Sequence, residues 1–176
     1  TPYHIYDEAG ILATGEKLKK AFAGVAGFRE YYAVKALPNP HILKLMKTLG
    51  FGFDCSSIPE LIISREVGGR GEDIMFTSNN TTREEFQAAA AEGGSILNLD
   101  DISLIAKVPQ FPELVCFRYN PGPRRTGNII IGNPVEAKYG ITHEQLISAY
   151  KLAMGRGAKR FGLHTMVASN ERDYTY

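Results

Sequence analysis

The feature that most limits what this chain can fold into is a rhythm. From residue 31 onward, short apolar runs alternate with amphipathic stretches, one pair every roughly twenty residues. Strands are expected at 31–36, 52–55, 74–77, 95–99, 114–119 and 160–164. Between them, helices are expected at 41–49, 59–67, 82–92, 101–107 and 143–156. The punctuation agrees: Pro40 suits a first helical turn, while Gly50, Gly68-Gly69 and Gly93-Gly94 follow expected helix ends. Ahead of the rhythm, residues 1–30 read as an N-terminal extension. It holds an extended start and a helix from about Thr14, whose hydroxyl suits a cap, with Gly24 and Gly27 loosening the end.

Strand–helix alternation at this spacing implies a parallel sheet with right-handed crossovers. Two α/β architectures satisfy it: a doubly wound open sheet and a (β/α)8 barrel. No G-x-G-x-x-G follows the first strand, which weakens a dinucleotide-binding reading. Polar residues recur at the carboxyl ends of the strands: Lys35, Asp54, Thr77-Ser78-Asn79, Asn98, Arg118 and His164. In a barrel those positions form the active face. About six βα units are present. A closed barrel needs eight and typically ~250 residues, so a barrel reading gives this chain only part of one.

Composition narrows the function classes. With 44% apolar and 22% charged residues, the chain is ordinary globular material. A net charge of +1 leaves no electrostatic footprint for nucleic acid or an anionic membrane, and no apolar run is long enough for a transmembrane helix. The two cysteines, Cys55 and Cys116, fit free buried thiols in a reducing, cytoplasmic setting better than a disulfide. His4, His41 and His143 lack metal-ligand spacing, so no metal site is expected. The chain lacks an initiator Met and a signal peptide, and both ends read as cut points.

Lys35 is the candidate reactive group. A lysine closing the apolar run Tyr31-Tyr32-Ala33-Val34 would lose hydration if buried, its pKa would fall, and it would become a nucleophilic amine. The alternative is a stem packed at a strand end with its ammonium in water. The stretch from Asn120 to Tyr139, rich in Pro and Gly and including Gly127-Asn128, reads as a candidate lid. Arg124-Arg125 within it reads as a solvated pair.

Five segments together resemble the fold-type III pyridoxal-phosphate decarboxylases, the diaminopimelate, ornithine and arginine decarboxylase group. They are Tyr32-Ala33-Val34-Lys35-Ala36; Gly52-Phe53-Asp54-Cys55-Ser56-Ser57 with Glu60-Leu61; Phe117-Arg118-Tyr119-Asn120-Pro121-Gly122; Lys138-Tyr139-Gly140-Ile141; and Gly162-Leu163-His164 with Ser169. The resemblance implies a (β/α)8 TIM-type barrel of the alanine racemase/decarboxylase type, truncated after about six βα units. Residues 31–176 would be the N-terminal part of the pyridoxal-phosphate-binding barrel, with the family's C-terminal β domain absent. It further implies pyridoxal 5'-phosphate as cofactor, a small amino-acid substrate and a homodimer in the full-length form.

The activity implied is amino-acid decarboxylation, with meso-diaminopimelate the first choice, giving L-lysine and carbon dioxide. Alternatives are an ornithine/arginine-type decarboxylase and a non-catalytic relative. By resemblance, Lys35 carries the cofactor as a Schiff base, Asp54 lies beside that lysine, Arg118 lies near the cofactor ring, and Ser169 contacts its phosphate. The other reading of Asp54 is a helix cap, although Ser56 or Ser57 suits that better; that of Arg118 is a salt bridge across the barrel top. One departure stands out. Where the family has a ring-stacking histidine, this chain has Met166, so either His164 takes the stacking place or the Met166 thioether packs there.

Overall fold

The structure is a computed structural model that describes residues 2–126, 130 and 132–173. Its strands are β1 (Tyr31–Ala33), β2 (Gly52–Cys55), β3 (Ile74–Thr77), β4 (Ile96–Leu99), β5 (Leu114–Arg118) and β6 (Arg160–His164). Its helices are α1 (Glu8–Ala21), α2 (Pro40–Thr48), α3 (Ile58–Glu66), α4 (Arg83–Ala90) and α5 (His143–Gly155). A 3-10 segment, Ile102–Lys107, stands where the fourth crossover helix was expected.

All six strands are parallel, and their spatial order is their chain order, β1 to β6. This order decides between the two architectures. Right-handed crossovers that always step the same way place every helix on one face, whereas a doubly wound sheet must reverse direction once. The burial follows. Phe53, Phe76, Leu97, Val115 and Phe117 occupy one face of the sheet, and they form one core with Leu43, Leu61, Phe86 and Ala149 from the helices. The alternate residues face the other side: Asp54, Thr77, Asn98, Cys116, Arg118, Gly162 and His164. The sheet is an arc of a (β/α) barrel with a packed outer face; its inner face is polar at the carboxyl ends of the strands and apolar, with Met75, Ile96 and Leu114, toward the other end.

Helix starts are set by local chemistry. Asn39 accepts from the amides of His41 and Ile42, with Pro40 at the first turn of α2. Thr82 with Glu85, and Thr142 with Gln145, form reciprocal capping boxes for α4 and α5.

Three local expectations are corrected. Helix α1 begins at Glu8 with Asp7 as its cap; Thr14 lies inside it, and its hydroxyl donates back to the Gly10 carbonyl at 2.8 Å. Strand β1 stops at Ala33, and Val34–Ala36 form a 3-10 turn, so Lys35 sits just beyond the strand. Ser57 occupies the cap position of α3 without capping it. Its hydroxyl instead donates to Glu60 Oε1 at 2.8 Å, while Glu60 Oε2 accepts from the Ser56 amide at 2.9 Å.

The long excursion after β5 returns to the sheet. Ile141 N donates to Arg118 O and Asn120 N donates to Ile141 O, which makes a one-residue parallel bridge beside Tyr119. Gly140 makes this approach at φ +91°, where a Cβ would lie 3.0 Å from Asn120 N. The Asn120 amide donates to the carbonyls of Pro134, Ala137 and Tyr139, and Asn120 Oδ1 accepts from Gly122 N. The described parts of the candidate lid are therefore pinned from below by one side chain. Gly127-Asn128 lie outside the described residues.

Candidate functional site

A cleft of about 510 Å³ opens at the carboxyl ends of the strands. Lys35, Asp54, Arg118 and His164 all line it, so four of the five residues singled out from the sequence meet there. Thr77, Met166 and the returning loop residues Ile130, Pro134, Ala137 and Tyr139 complete much of the wall. Ser169, half-buried in the bend after β6, is not among the lining residues.

Each side chain sits in a distinct electrostatic setting. Lys35 is exposed on its 3-10 turn rather than buried at a strand end. Asp54 faces the cleft from β2, and its Oδ1 is buried without a hydrogen-bond partner. Burial pushes its carboxyl above the usual carboxylate range, against the pull of a Thr77 hydrogen bond and the Lys35 charge. It caps no helix.

Arg118 is clamped. Its Nη1 lies 3.7 Å from Asp100 Oδ1, and its guanidinium stands 5.1 Å from the centre of the Tyr139 ring. Burial raises the Asp100 carboxyl, while a hydrogen bond from Asn79 and the Arg118 charge draw it down. This ion pair joins the ends of the neighbouring strands β4 and β5 and holds the guanidinium at the cleft wall. His164 is half-buried at the end of β6, with Asn98 Nδ2 2.8 Å from its Nδ1. Burial and the neighbouring Arg118 charge lower its pKa below the ordinary imidazole value.

Asp100, Tyr139 and Asn120 were not assigned roles from the sequence. Asp100 carries a readable signal, because it directly follows β4 as another polar strand end. Tyr139 and Asn120 belong to the motif segments, but their work depends on the loop folding back. Neither cysteine joins the site. Cys55 is fully buried against Ser64 with its thiol pushed up to about 12, and Cys116 is half-buried inside β5. Among the described residues no cluster of metal-ligating side chains exists, and no helix is long and apolar enough to cross a membrane. A second cavity, about 380 Å³, lies at the opposite ends of the strands, lined by Gly71, Gly93, Gly94 and Phe111 and remote from these groups.

An amine just past β1, with a carboxylate, a guanidinium and an imidazole from β2, β5 and β6 at the same rim of a parallel arc, define the class: a lysine-bearing (β/α)-barrel cofactor domain. The chain belongs to the pyridoxal-dependent decarboxylases, whose pyridoxal-binding domain description matches residues 9–175. It is 44% identical over 97% of its length to Protein TabA of Pseudomonas amygdali pv. tabaci, and spans 40% of that protein. It is 32% identical over 99% of its length to diaminopimelate decarboxylase of Thermoplasma acidophilum, and spans 43% of it. The crystal structure of diaminopimelate decarboxylase from M. jannaschii superposes with a TM-score of 0.83 at 26% identity, covering 95% of this chain and 42% of that one. The chain therefore spans about two-fifths of the length of these relatives, in the region of the barrel arc.

The residues present fit pyridoxal phosphate. The exposed Lys35 amine is free to meet an aldehyde, and the buried Asp54 Oδ1 lacks a partner that a bound cationic group would supply. The cleft also has the size of a small-molecule site.

Proposed function

We propose that this chain is the cofactor-bearing barrel portion of a pyridoxal-phosphate-dependent amino-acid decarboxylase, with meso-diaminopimelate as substrate. The observation that carries the reading is the convergence on one cleft of Lys35, from the turn after β1, with Asp54, Arg118 and His164 from β2, β5 and β6. When bound, pyridoxal phosphate supplies the electron sink that makes loss of an α-carboxylate feasible.

The chain's own residues divide the remaining work. Lys35 offers the amine that would hold the cofactor at the rim of the cleft. Asp54, on which the Lys35 charge acts, orients that amine in the cleft. Arg118, fixed between Asp100 and Tyr139, presents a constant positive charge to anionic groups. His164 gives the cleft an imidazole wall, and Met166 adds an apolar contact beside it. Ser169 is assigned to the cofactor phosphate. Residues 31–176 are assigned to the barrel and 1–30 to an N-terminal extension. The working unit is a homodimer with a C-terminal β domain, located in the cytoplasm.

A second reading is a decarboxylase of this type with another substrate, such as ornithine or arginine. It is favoured by the greater identity to Protein TabA, 44%, than to the Thermoplasma diaminopimelate enzyme, 32%. The test has two stages. Pyridoxal phosphate is titrated into the protein, the adduct is fixed with borohydride, and its position is read by peptide mass. Attachment at Lys35, lost in Lys35→Ala, is expected; attachment elsewhere, or none in a folded sample, refutes the cofactor assignment. Release of carbon dioxide from meso-diaminopimelate, ornithine, arginine and lysine by the full-length protein then decides the substrate, and no release from any of them refutes the enzyme reading.

A further inference from the structure

One contact on the inner face skips a strand. Asn98 is on β4 and His164 on β6, with β5 between them, yet Asn98 Nδ2 lies 2.8 Å from His164 Nδ1. The reach is made possible by side-chain size. In register, Asn98 stands beside Cys116, and Cys116 beside Gly162, so the row falls from an amide to a thiol to no side chain. The row is filled: a Cβ at Gly162 would lie 2.4 Å from Cys116 Sγ. Asn98 is only 4% exposed, and its Nδ2 also lies 3.4 Å from Thr77 Oγ1 on β3. Asn98 therefore bridges three strands beneath the cleft floor.

The orientation of the amide has a chemical consequence. With Nδ2 toward His164, the atom left buried without a partner is Asn98 Oδ1. Turning the amide over would instead orphan a buried NH2 group, and unpaired N–H groups are the rarer case in proteins. Nδ1 of His164 is thus an acceptor, and the ring proton resides on Nε2. The charges nearest the ring agree with a neutral imidazole, because the neighbouring strand presents the Arg118 guanidinium in register with it. Asp100 is engaged by that same guanidinium, and Asp54 and Lys35 stand on the far side of the arc.

We propose that Asn98 is a positioning residue that locks His164 in its neutral Nε2–H tautomer, so that the cleft offers its ligand a neutral hydrogen-bond donor rather than an imidazolium. The role toward a ligand rests on the cofactor reading above; the tautomer does not.

The test is ¹⁵N NMR of the cofactor-free protein with labelled histidines, with the His164 signals identified by their loss in His164→Gln. Near pH 7.5, the expected result is a bare Nδ1 and a protonated Nε2. Asn98→Asp, an acceptor of the same size, is expected to move the proton to Nδ1 and to weaken pyridoxal phosphate binding by roughly fivefold or more, the scale of one hydrogen bond. A protonated Nδ1 or an imidazolium in the wild-type protein overturns the proposal, and needs no variant to fold. A tautomer indifferent to Asn98→Asp also overturns it, and unchanged affinity overturns the role toward the ligand. Failure of Lys35 to take up the cofactor would sink the functional reading while leaving the tautomer result standing.

Discussion

The row Asn98–Cys116–Gly162 gives a prediction whose size follows from the coordinates. Gly162→Ala places a methyl carbon 2.4 Å from Cys116 Sγ, more than 1 Å inside the contact distance of about 3.5–4.0 Å. Glycine here serves space rather than backbone freedom, because β6 is ordinary extended chain. The thiol has one torsion with which to escape, and Asn98 and Gly162 flank it in register. Relief therefore requires the sheet to open locally. Overpacking of this kind costs about 1–3 kcal/mol. For a chain of this length that lowers the thermal midpoint by roughly 3–10 °C. The partner change supplies the control. Cys116→Ala removes the sulfur, so the double variant Cys116→Ala/Gly162→Ala is expected to regain most of the loss, with a coupling of about 1 kcal/mol or more. The assay is thermal unfolding followed by circular dichroism on all four proteins. A Gly162→Ala protein as stable as wild type, or a double variant no better than Gly162→Ala, would refute the steric argument.

Three further outcomes are expected. Asp54→Asn should raise the thermal midpoint at pH 7 while abolishing Lys35-linked cofactor uptake. Its carboxyl is held above the usual range mainly by burial, so the ionised form penalises the fold at all pH values above that raised pKa; an Asp54→Asn protein no more stable than wild type at pH 7 counts against this. His164 has the opposite pH behaviour. Its folded pKa lies below the ordinary 6.5, so stability is lost as pH falls from 6.5 through the folded value, and His164→Gln should flatten that stretch of a stability–pH curve measured by urea unfolding. Arg65→Ala should destabilise by about 3 kcal/mol or more, read from denaturant midpoints, because its Nη2 serves the carbonyls of Ala88, Ala89 and Ala91 at the end of α4 and the residue is only 6% exposed.

How much of this was legible in the sequence varied by element. Strands β2, β3 and β6 fell where expected, because each is a short apolar run bounded by turn chemistry. Helix α1 was misjudged at its start because Gly10 and Gly15 weaken the local helical signal. Gly15 is there for a tertiary reason: a Cβ would lie within 2.3 Å of the Leu49 side chain, so α1 can approach that close only without one. Likewise Lys35 read as closing a strand, but the strand ends two residues earlier and the residue is exposed.

By itself the sequence determined the strand–helix order, the polar strand ends and the motif residues that mark the family, since periodicity and local capping act over a few neighbouring residues. Tertiary structure alone decided that Asp100 and Tyr139 clamp Arg118, and that Asn98 reaches His164 across β5. These depend on strand order and on the size of side chains from distant segments brought into one row, information that no local window of the chain contains.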